Sequence, residues 1–448
     1  MSEETIFALA SAAGRAGVAV FRVSGPGAAR AFVDLTRRAL PAPRLAVRVR
    51  LRCRATGEVL DDGLGLWFPA PRSFTGEDVV EFQLHGGRAV EAAVTEALRG
   101  LEGLRLAEPG EFTRRAFENG KFELTAAEGL ADLVNAETEA QRRQARRQLE
   151  GELGAIYEGW RARLIEGLAH YEAVIDFTEE ELPADLSRKV KHQMLGLREE
   201  ISQHLDDNRR GERLRDGLHI AIIGAPNVGK STLLNALARR DAAIVAETAG
   251  TTRDVIEVHL DLGGFPVTVA DTAGLREAAD GVESEGIRRA EARAADADIT
   301  LALFDITHWP ALDAKTLALV NDDTVPILNK ADLLAPGQGP DTKERVGGRP
   351  VVIASAETGA GMAELLERLE SMVSQRIDLA GSPALTRARH RDALEQSVDA
   401  LGRFAGASEA ALAAEDLRLA VRALGRITGR VEVEDILDVI FRDFCIGK

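Results

Sequence analysis

The spacing of apolar positions changes along the chain, and each spacing implies a different local structure. Up to about residue 118, short apolar runs such as Val18-Ala19-Val20-Phe21-Arg22-Val23 and Asp78 to Leu84 are punctuated by Gly and Pro, with one helical stretch from Arg88 to Leu101. Such runs, bounded by turn residues, predict strands, so residues 1–118 read as a compact α+β domain. From Lys121 to about Arg213 the spacing lengthens. Leu124, Ala127, Leu130 and Val134, and later Leu164, Leu168, Tyr171 and Ile175, recur at three and four residues with few glycines between them, which predicts long helices. From Leu218 to about Ile377 compact apolar runs return at Ile220–Ile223, Val267–Ala270, Ile299–Phe304, Val325–Leu328 and Val351–Ala354, separated by helical segments. That alternation predicts a mainly parallel sheet with crossover helices. After Gly381-Ser382-Pro383 the helical spacing resumes, with Leu417, Val421, Leu424 and Ile427 in step. The economical reading is one helical domain in two segments, 119–214 and 379–448, with an α/β domain at 215–378 inserted between them.

Composition narrows the class. A chain of 448 residues exceeds a single core, and 45% hydrophobic with 29% charged residues fits a globular protein. The acidic start Met1-Ser2-Glu3-Glu4 lacks the basic segment and apolar run of a secretory signal, no stretch approaches a membrane span, and Cys53 and Cys445 are too few for a disulfide framework. A cytoplasmic protein with no membrane partner is expected. The net charge of −16 argues against broad, sequence-blind nucleic-acid binding, so any such contact is local. The densest basic cluster, Arg142, Arg143, Arg146 and Arg147, reads first as a solvated helix surface.

The chemistry concentrates after the Ile220–Ile223 strand. Gly224-Ala225-Pro226-Asn227-Val228-Gly229-Lys230-Ser231 has the G-x-x-x-x-G-K-S spacing, followed by Thr232 and a predicted helix. Glycines let backbone N–H groups wrap phosphates, Lys230 reaches the β and γ oxygens, and Ser231 ligates Mg²⁺. Asp271-Thr272-Ala273-Gly274 closes the next predicted strand, offering Asp271 to Mg²⁺ through water and the Gly274 N–H to the γ-phosphate. Gly250-Thr251-Thr252 offers the Thr252 hydroxyl as a further Mg²⁺ ligand. Asn329-Lys330-Ala331-Asp332 follows a later strand, where a buried Asp332 carboxylate accepts from the guanine N1 and 2-amino groups, and Ser355-Ala356 completes the base pocket. These elements, in this order at strand ends, predict a GTP site. A Gln that orients water in many small GTPases is replaced by Leu275, and Glu277, Asp280, Glu283 and Glu285 all stand nearby as acidic candidates.

Several separate stretches resemble the MnmE (TrmE) family of tRNA-modification GTPases over essentially the whole chain. They are Phe21-Arg22-Val23-Ser24-Gly25, Ser73-Phe74-Thr75-Gly76-Glu77-Asp78, Pro109-Gly110-Glu111-Phe112, Asp271 to Glu277, and the end Phe444-Cys445-Ile446-Gly447-Lys448. The resemblance implies an N-terminal folate-binding, aminomethyltransferase-like and dimerisation domain, a discontinuous helical domain and an inserted Ras-like P-loop G domain. It implies a homodimer that forms a heterotetramer with the flavoprotein MnmG (GidA), through which alone FAD enters. Together they would add a carboxymethylaminomethyl or aminomethyl group at C5 of the wobble uridine of certain tRNAs, coupled to GTP hydrolysis.

The resemblance also implies activation by K⁺ in place of an arginine finger. Asn227 would ligate K⁺ with oxygens of the loop Ala246-Glu247-Thr248-Ala249-Gly250-Thr251, chiefly Ala246, Thr248 and Thr251, and Glu283 would orient the attacking water. In the N-terminal domain, Arg22, Glu81 and Lys121 match the contacts of 5,10-methylene- or 5-formyl-tetrahydrofolate, with Lys448 reaching in from the C-terminus. A carboxylate such as Glu81 suits the amidine-like N–H groups of a pterin, and basic groups suit a glutamate tail. Cys445 lies between basic Arg442 and Lys448, with acidic Asp443 beside it, and the resemblance makes it a functional thiol near the folate. Cys53 reads as structural, and His85 as a turn histidine bonded to backbone.

Overall fold

The computed structural model describes residues 4–176, 186–239, 257–271, 297–335, 340–341, 344–377, 384–431, 434–442 and 444–447. Two compact units emerge: Met1–Ala131 with Gln148–Leu197 and Gln396–Lys448, and Asp132–Arg147 with Arg198–Glu395.

The first unit begins with β1 (Thr5–Leu9), β2 (Ala16–Ser24), β3 (Val47–Arg52), β4 (Val59–Phe68), β5 (Val79–Gly86) and β6 (Leu104–Leu106). They form a sheet in the order β3-β4-β5-β2-β1-β6, antiparallel except where β1 lies beside β6. Strand periodicity sorts its faces. Phe21 and Val23 of β2, and Val80, Phe82 and Leu84 of β5, are buried against Phe32 and Leu35 of the helix Ala28–Thr36 and Val94 and Leu98 of the helix Arg88–Arg99. The Phe32 and Phe82 rings stack with centroids 5.8 Å apart. Arg22 and Glu81, displaced by one residue from this set, therefore fall on the opposite face.

The helices Glu152–Asp176 and Ala410–Thr428 of the same unit pack along one another. Tyr157, Leu164 and Tyr171 on one, and Leu417 and Leu424 on the other, are buried, while Ala413 and Ala420 are small enough for close approach. Tyr171 meets Phe404 edge-on at 5.1 Å, and Thr428 Oγ1 donates to Glu158 Oε1 at 2.7 Å. The ends of the expected apolar stripes are not covered, since Val134 and Ile175 are exposed.

In the second unit, β7 (Leu218–Gly224), β8 (Glu257–Leu262), β9 (Phe265–Asp271), β10 (Ile299–Asp305) and β11 (Thr324–Asn329) precede a small ribbon of β12 (Arg345–Val346) with β13 (Arg349–Pro350), and then β14 (Val352–Ile353). The main sheet runs β14-β11-β10-β7-β9-β8, parallel except for the edge strand β8. Alternate residues of β10 enter two cores. Ile299, Leu301 and Leu303 join Leu233, Leu237 and Leu365, while Ala302 and Phe304 join Val346 and Val351. Burial on both faces explains why these strands read as continuous apolar runs. The half-polar β8 lacks that signature, and no sequence feature had marked it as a strand.

Candidate nucleotide site and N-terminal cavity

The loop Gly224 to Ser231 joins β7 to the helix Lys230–Ala238, with Gly229 at the cap. Its glycines are structural necessities. Gly224 has φ 152° and a Cβ there would stand 2.6 Å from Leu303 O, while Gly229 has φ 103° and its Cβ would stand 2.3 Å from Asn329 Nδ2. Any side chain at either position would strain the loop or fill its cradle. Val228 anchors the loop in the core, whereas Asn227 is exposed with a left-handed φ of 61°, which Asn tolerates. Lys230 Nζ curls back to Gly224 O at 2.9 Å and Ala225 O at 3.0 Å. Ser231 and Thr232 occupy the first helical turn, whose N–H groups lack intrahelical acceptors and suit anionic oxygens.

Parallel register brings the remaining elements to the same sheet edge. Gly224 lies opposite Leu303, Asp305 opposite Asn329, and Asp271 ends β9 opposite Ile222. Asn329 acts as a brace, which its motif did not announce. Its Nδ2 donates to Val228 O at 2.8 Å and its Oδ1 accepts from Ala356 N at 3.0 Å, tying the phosphate loop to the segment after β14.

Lys330, left-handed at φ 67°, donates from Nζ to Asp305 Oδ2 at 2.7 Å. Partial burial alone would raise the Asp305 carboxyl, but hydrogen bonds from Lys330 and Thr307 outweigh it and hold the group at about 2. Asp332, in the short turn Ala331–Leu333, is exposed, contrary to the buried carboxylate expected from sequence. Ser355 is fully buried and donates from Oγ to Asp332 Oδ1, so the carboxylate is oriented although it is not enclosed. Ala246, Glu247, Thr248, Ala249, Gly250, Thr251, Thr252, Thr272, Ala273, Gly274, Leu275, Glu283 and Lys448 lie outside the described residues, as does the Asp271 side chain.

A cavity of about 500 Å³ opens in the N-terminal sheet unit, walled by Phe68, Phe74 and Val79 and lined by Glu81, Lys121, Arg44 and Arg72. Arg22 lies opposite Glu81 in the β2–β5 ladder and donates from Nε to Glu81 Oε1 at 2.9 Å. Its guanidinium also stands 5.2 Å from the Phe74 ring centroid and 5.6 Å from that of Phe112. Lys121 Nζ donates to Pro71 O at 2.8 Å and Arg44 Nη2 to Arg72 O, so both cations are held by neutral carbonyls. The structure thus brings Arg22, Glu81 and Lys121 together and adds Arg44 and Arg72, which sequence reasoning missed because they belong to no motif.

Several residues of the family-like motifs of this unit join one buried network. Arg115, almost fully buried, donates to Glu77 at 3.1 Å and Glu111 at 2.9 Å, and Ser24 Oγ donates to Glu77 at 2.7 Å. This network fixes the loop 73–78 that carries Phe74. At the C-terminus, Gly110 N donates to Cys445 O at 3.4 Å, Ile446 bridges Pro109, and Gly447 packs so tightly that a Cβ would stand 2.1 Å from Leu9 O. Cys445 is exposed and is not among the residues lining the cavity. His85 Nδ1 meets Asp61 Oδ1 at 2.8 Å, so its partner is a carboxylate and not the backbone that was expected. Arg142 and Arg143 both pair with Glu139, which partly neutralises that basic cluster.

Family models match for the MnmE helical domain over residues 124–445 and for the N-terminus of the GTP-binding protein TrmE over residues 5–121. The tRNA modification GTPase MnmE of Paramagnetospirillum magneticum is 60% identical over 445 residues, covering 99% of this chain and 100% of its own. The mitochondrial 5-taurinomethyluridine-(tRNA) synthase subunit GTPB3 of Homo sapiens is 47% identical over 470 residues, covering 100% of this chain and 94% of its own. Among solved structures, the G domain of the T. maritima FeoB iron transporter aligns with 35% of this chain and 98% of its own at 23% identity and a TM-score of 0.25, too low a score to support inference. Among the described residues, no helix is long and apolar enough to cross a membrane.

Proposed function

The chain belongs to the MnmE family of tRNA modification GTPases, and from that premise we propose that it is a K⁺-activated enzyme using a folate one-carbon donor at the wobble uridine. Working with the flavoprotein MnmG (GidA), it adds a carboxymethylaminomethyl or aminomethyl group at C5. The observation that carries this reading is the presence, in one chain, of a braced phosphate loop and a chemically distinct cavity of about 500 Å³.

At the first site, Val228, Gly229, Lys230, Ser231 and Thr232 hold the phosphates, and Asp332 with Ser355 and Ala356 reads guanine. Ser231 and Thr252 hold Mg²⁺. Asn227, exposed on the loop crest, holds K⁺ with oxygens of Ala246, Thr248 and Thr251, while Glu283 orients water. Bound K⁺ supplies positive charge where the transferring phosphoryl group develops negative charge.

At the second site, the aromatic walls and Glu81 suit a pterin of 5,10-methylene- or 5-formyl-tetrahydrofolate. Arg44, Arg72 and Lys121 make no ion pair among the described residues and suit the carboxylates of its glutamate tail. Arg22 holds Glu81 in place, and the segment 444–447 docks Cys445 against Gly110 in the same unit. The GTPB3 relatives are named as subunits, which fits assembly of a homodimer with a flavoprotein partner that alone carries FAD. The arrangement of a folate-binding and dimerisation domain (1–118), a split helical domain (119–214, 379–448) and an inserted G domain (215–378) separates the two chemistries along the chain.

Mass spectrometry of tRNA nucleosides from a strain lacking the protein tests the reading. Wobble uridines should lose the C5 group, wild-type chain should restore it, and Lys230→Ala should not. Undiminished modification without the protein would refute the assignment.

A further inference from the structure

We propose that the open face of the N-terminal sheet grips the phosphate backbone of tRNA through an arginine stripe on β3, beside the cavity. β3 is an edge strand reading Val47-Arg48-Val49-Arg50-Leu51-Arg52. Val49 and Leu51 are buried in the core, so period-two geometry sends Arg48, Arg50 and Arg52 to the other face. Register carries that face to the cavity. Arg48 lies opposite Leu64, Leu64 lies opposite Gln83, and one step along the same face Leu66 lies opposite Glu81 and Glu81 opposite Arg22. Two strand spacings and a two-residue offset put Arg48 roughly 12 Å from Glu81 along the sheet.

The charges of this stripe are only partly matched. Asp62 accepts both Nε and Nη2 of Arg50, at 2.9 and 3.2 Å, and Asp34 pairs with Arg54 at 3.2 Å. Arg37, Arg38, Arg48 and Arg52 make no direct ion pair among the described residues, although Arg48 and Arg52 share the field of the Asp62 carboxylate with Arg50. Arg38 donates to Arg48 O and Arg52 donates to Gly57 O at 3.2 Å, so neutral carbonyls position these cations without cancelling their charge. In a chain of net charge −16, the arginines around this strand outnumber the two carboxylates, Asp62 and Asp34, that pair with them.

Planar guanidinium forks repeating every ~6.6–6.8 Å along an open strand suit a row of phosphate oxygens. The RNA assignment follows from the family's action on tRNA. The advantage of placing it here, with a base delivered to the face that holds the donor, rests on the proposed reading of the cavity. Arginines on an edge strand also prevent edge-to-edge association, which is the competing role the test must separate.

The full-length Arg48→Glu/Arg52→Glu variant should be compared with wild type for retention of an unmodified tRNA transcript across a salt series. Affinity should fall at least tenfold, the log–log salt slope should flatten by roughly one to two, and GTP hydrolysis should keep its wild-type rate. Arg48→Lys/Arg52→Lys should preserve the slope. If charge reversal impairs folding, seen as lost GTPase activity, Arg48→Gln/Arg52→Gln should show the same change in slope. Unchanged affinity and slope in a folded variant would overturn the proposal, as would new self-association with tRNA binding intact. Tetrahydrofolate binding, measured in parallel, should be unaffected by the variant. Its absence from wild type would refute the reading of the cavity and leave the RNA result standing separately.

Discussion

The nucleotide site and the N-terminal cavity are built on opposite plans. The first is made mostly of backbone: two glycines at positive φ, a helix terminus, and one buried amide, Asn329, bonded to Val228 O and Ala356 N. The second is made of side chains from β4, β5 and the segments around residues 44, 72 and 121, with Arg22 of β2 holding Glu81, assembled by register and by loops. A backbone site tolerates almost no change of residue type, since a Cβ at Gly229 would meet Asn329 at 2.3 Å. A side-chain site keeps its shape when one group is altered and loses mainly that group's contact. Substitutions should therefore act severely at the first site and selectively at the second.

The largest expected effect comes from the cation. Replacing K⁺ by Na⁺ should slow GTP turnover by about 10³-fold or more while leaving GDP affinity nearly unchanged, because the proposed cation would act on the charge of the reacting phosphoryl group. Equal steady-state rates in the two salts would remove K⁺ from the account and with it the role of Asn227.

Next comes the brace. Asn329→Ala leaves Val228 O and Ala356 N buried without their partner, at about 1–3 kcal/mol each, and should lower both thermal stability and GDP affinity without changing tetrahydrofolate binding. Calorimetric titration with each ligand checks the contrast. Equal losses at both sites would mean that the two are not built independently.

The smallest effect is electrostatic. The Asp305 carboxyl is held at about 2, below its ordinary value of 3.8, so the folded state binds this proton more weakly than the unfolded chain. Its stabilising contribution is present above pH 3.8 and is lost as pH falls through about 2. With Lys330 partly exposed, Asp305→Asn should cost about 1 kcal/mol or less at neutral pH, and that cost should shrink as pH falls below 3.8 and vanish below about 2. Acid unfolding curves of the two proteins that stay parallel down to pH 2 would contradict this.

These two plans also explain what was legible in the sequence. The strands of the main sheet were legible because burial on both faces makes them continuous apolar runs, as in Ile220–Ile223 and Ile299–Phe304. β8, half-polar and at the sheet edge, gave no such signal, and the helical stripes ended short of Val134 and Ile175 because nothing in a 3.6-residue period marks where cover stops. The phosphate loop was legible because its groups are contiguous. Arg44 and Arg72 were not, because only the fold brings them to the cavity. Glu77 and Glu111 sat in recognisable motifs, yet spacing could not reveal that both serve a buried arginine, Arg115.

In the proposed function, one chain couples a GTP site to a separate donor site that performs the modification. Glu81→Ala tests it most directly, with GTP hydrolysis measured on the purified variant and C5-modified wobble uridine quantified by mass spectrometry in tRNA from cells carrying it. The variant should hydrolyse GTP at the wild-type rate with the modification lost or severely reduced. Full modification by that variant would contradict it.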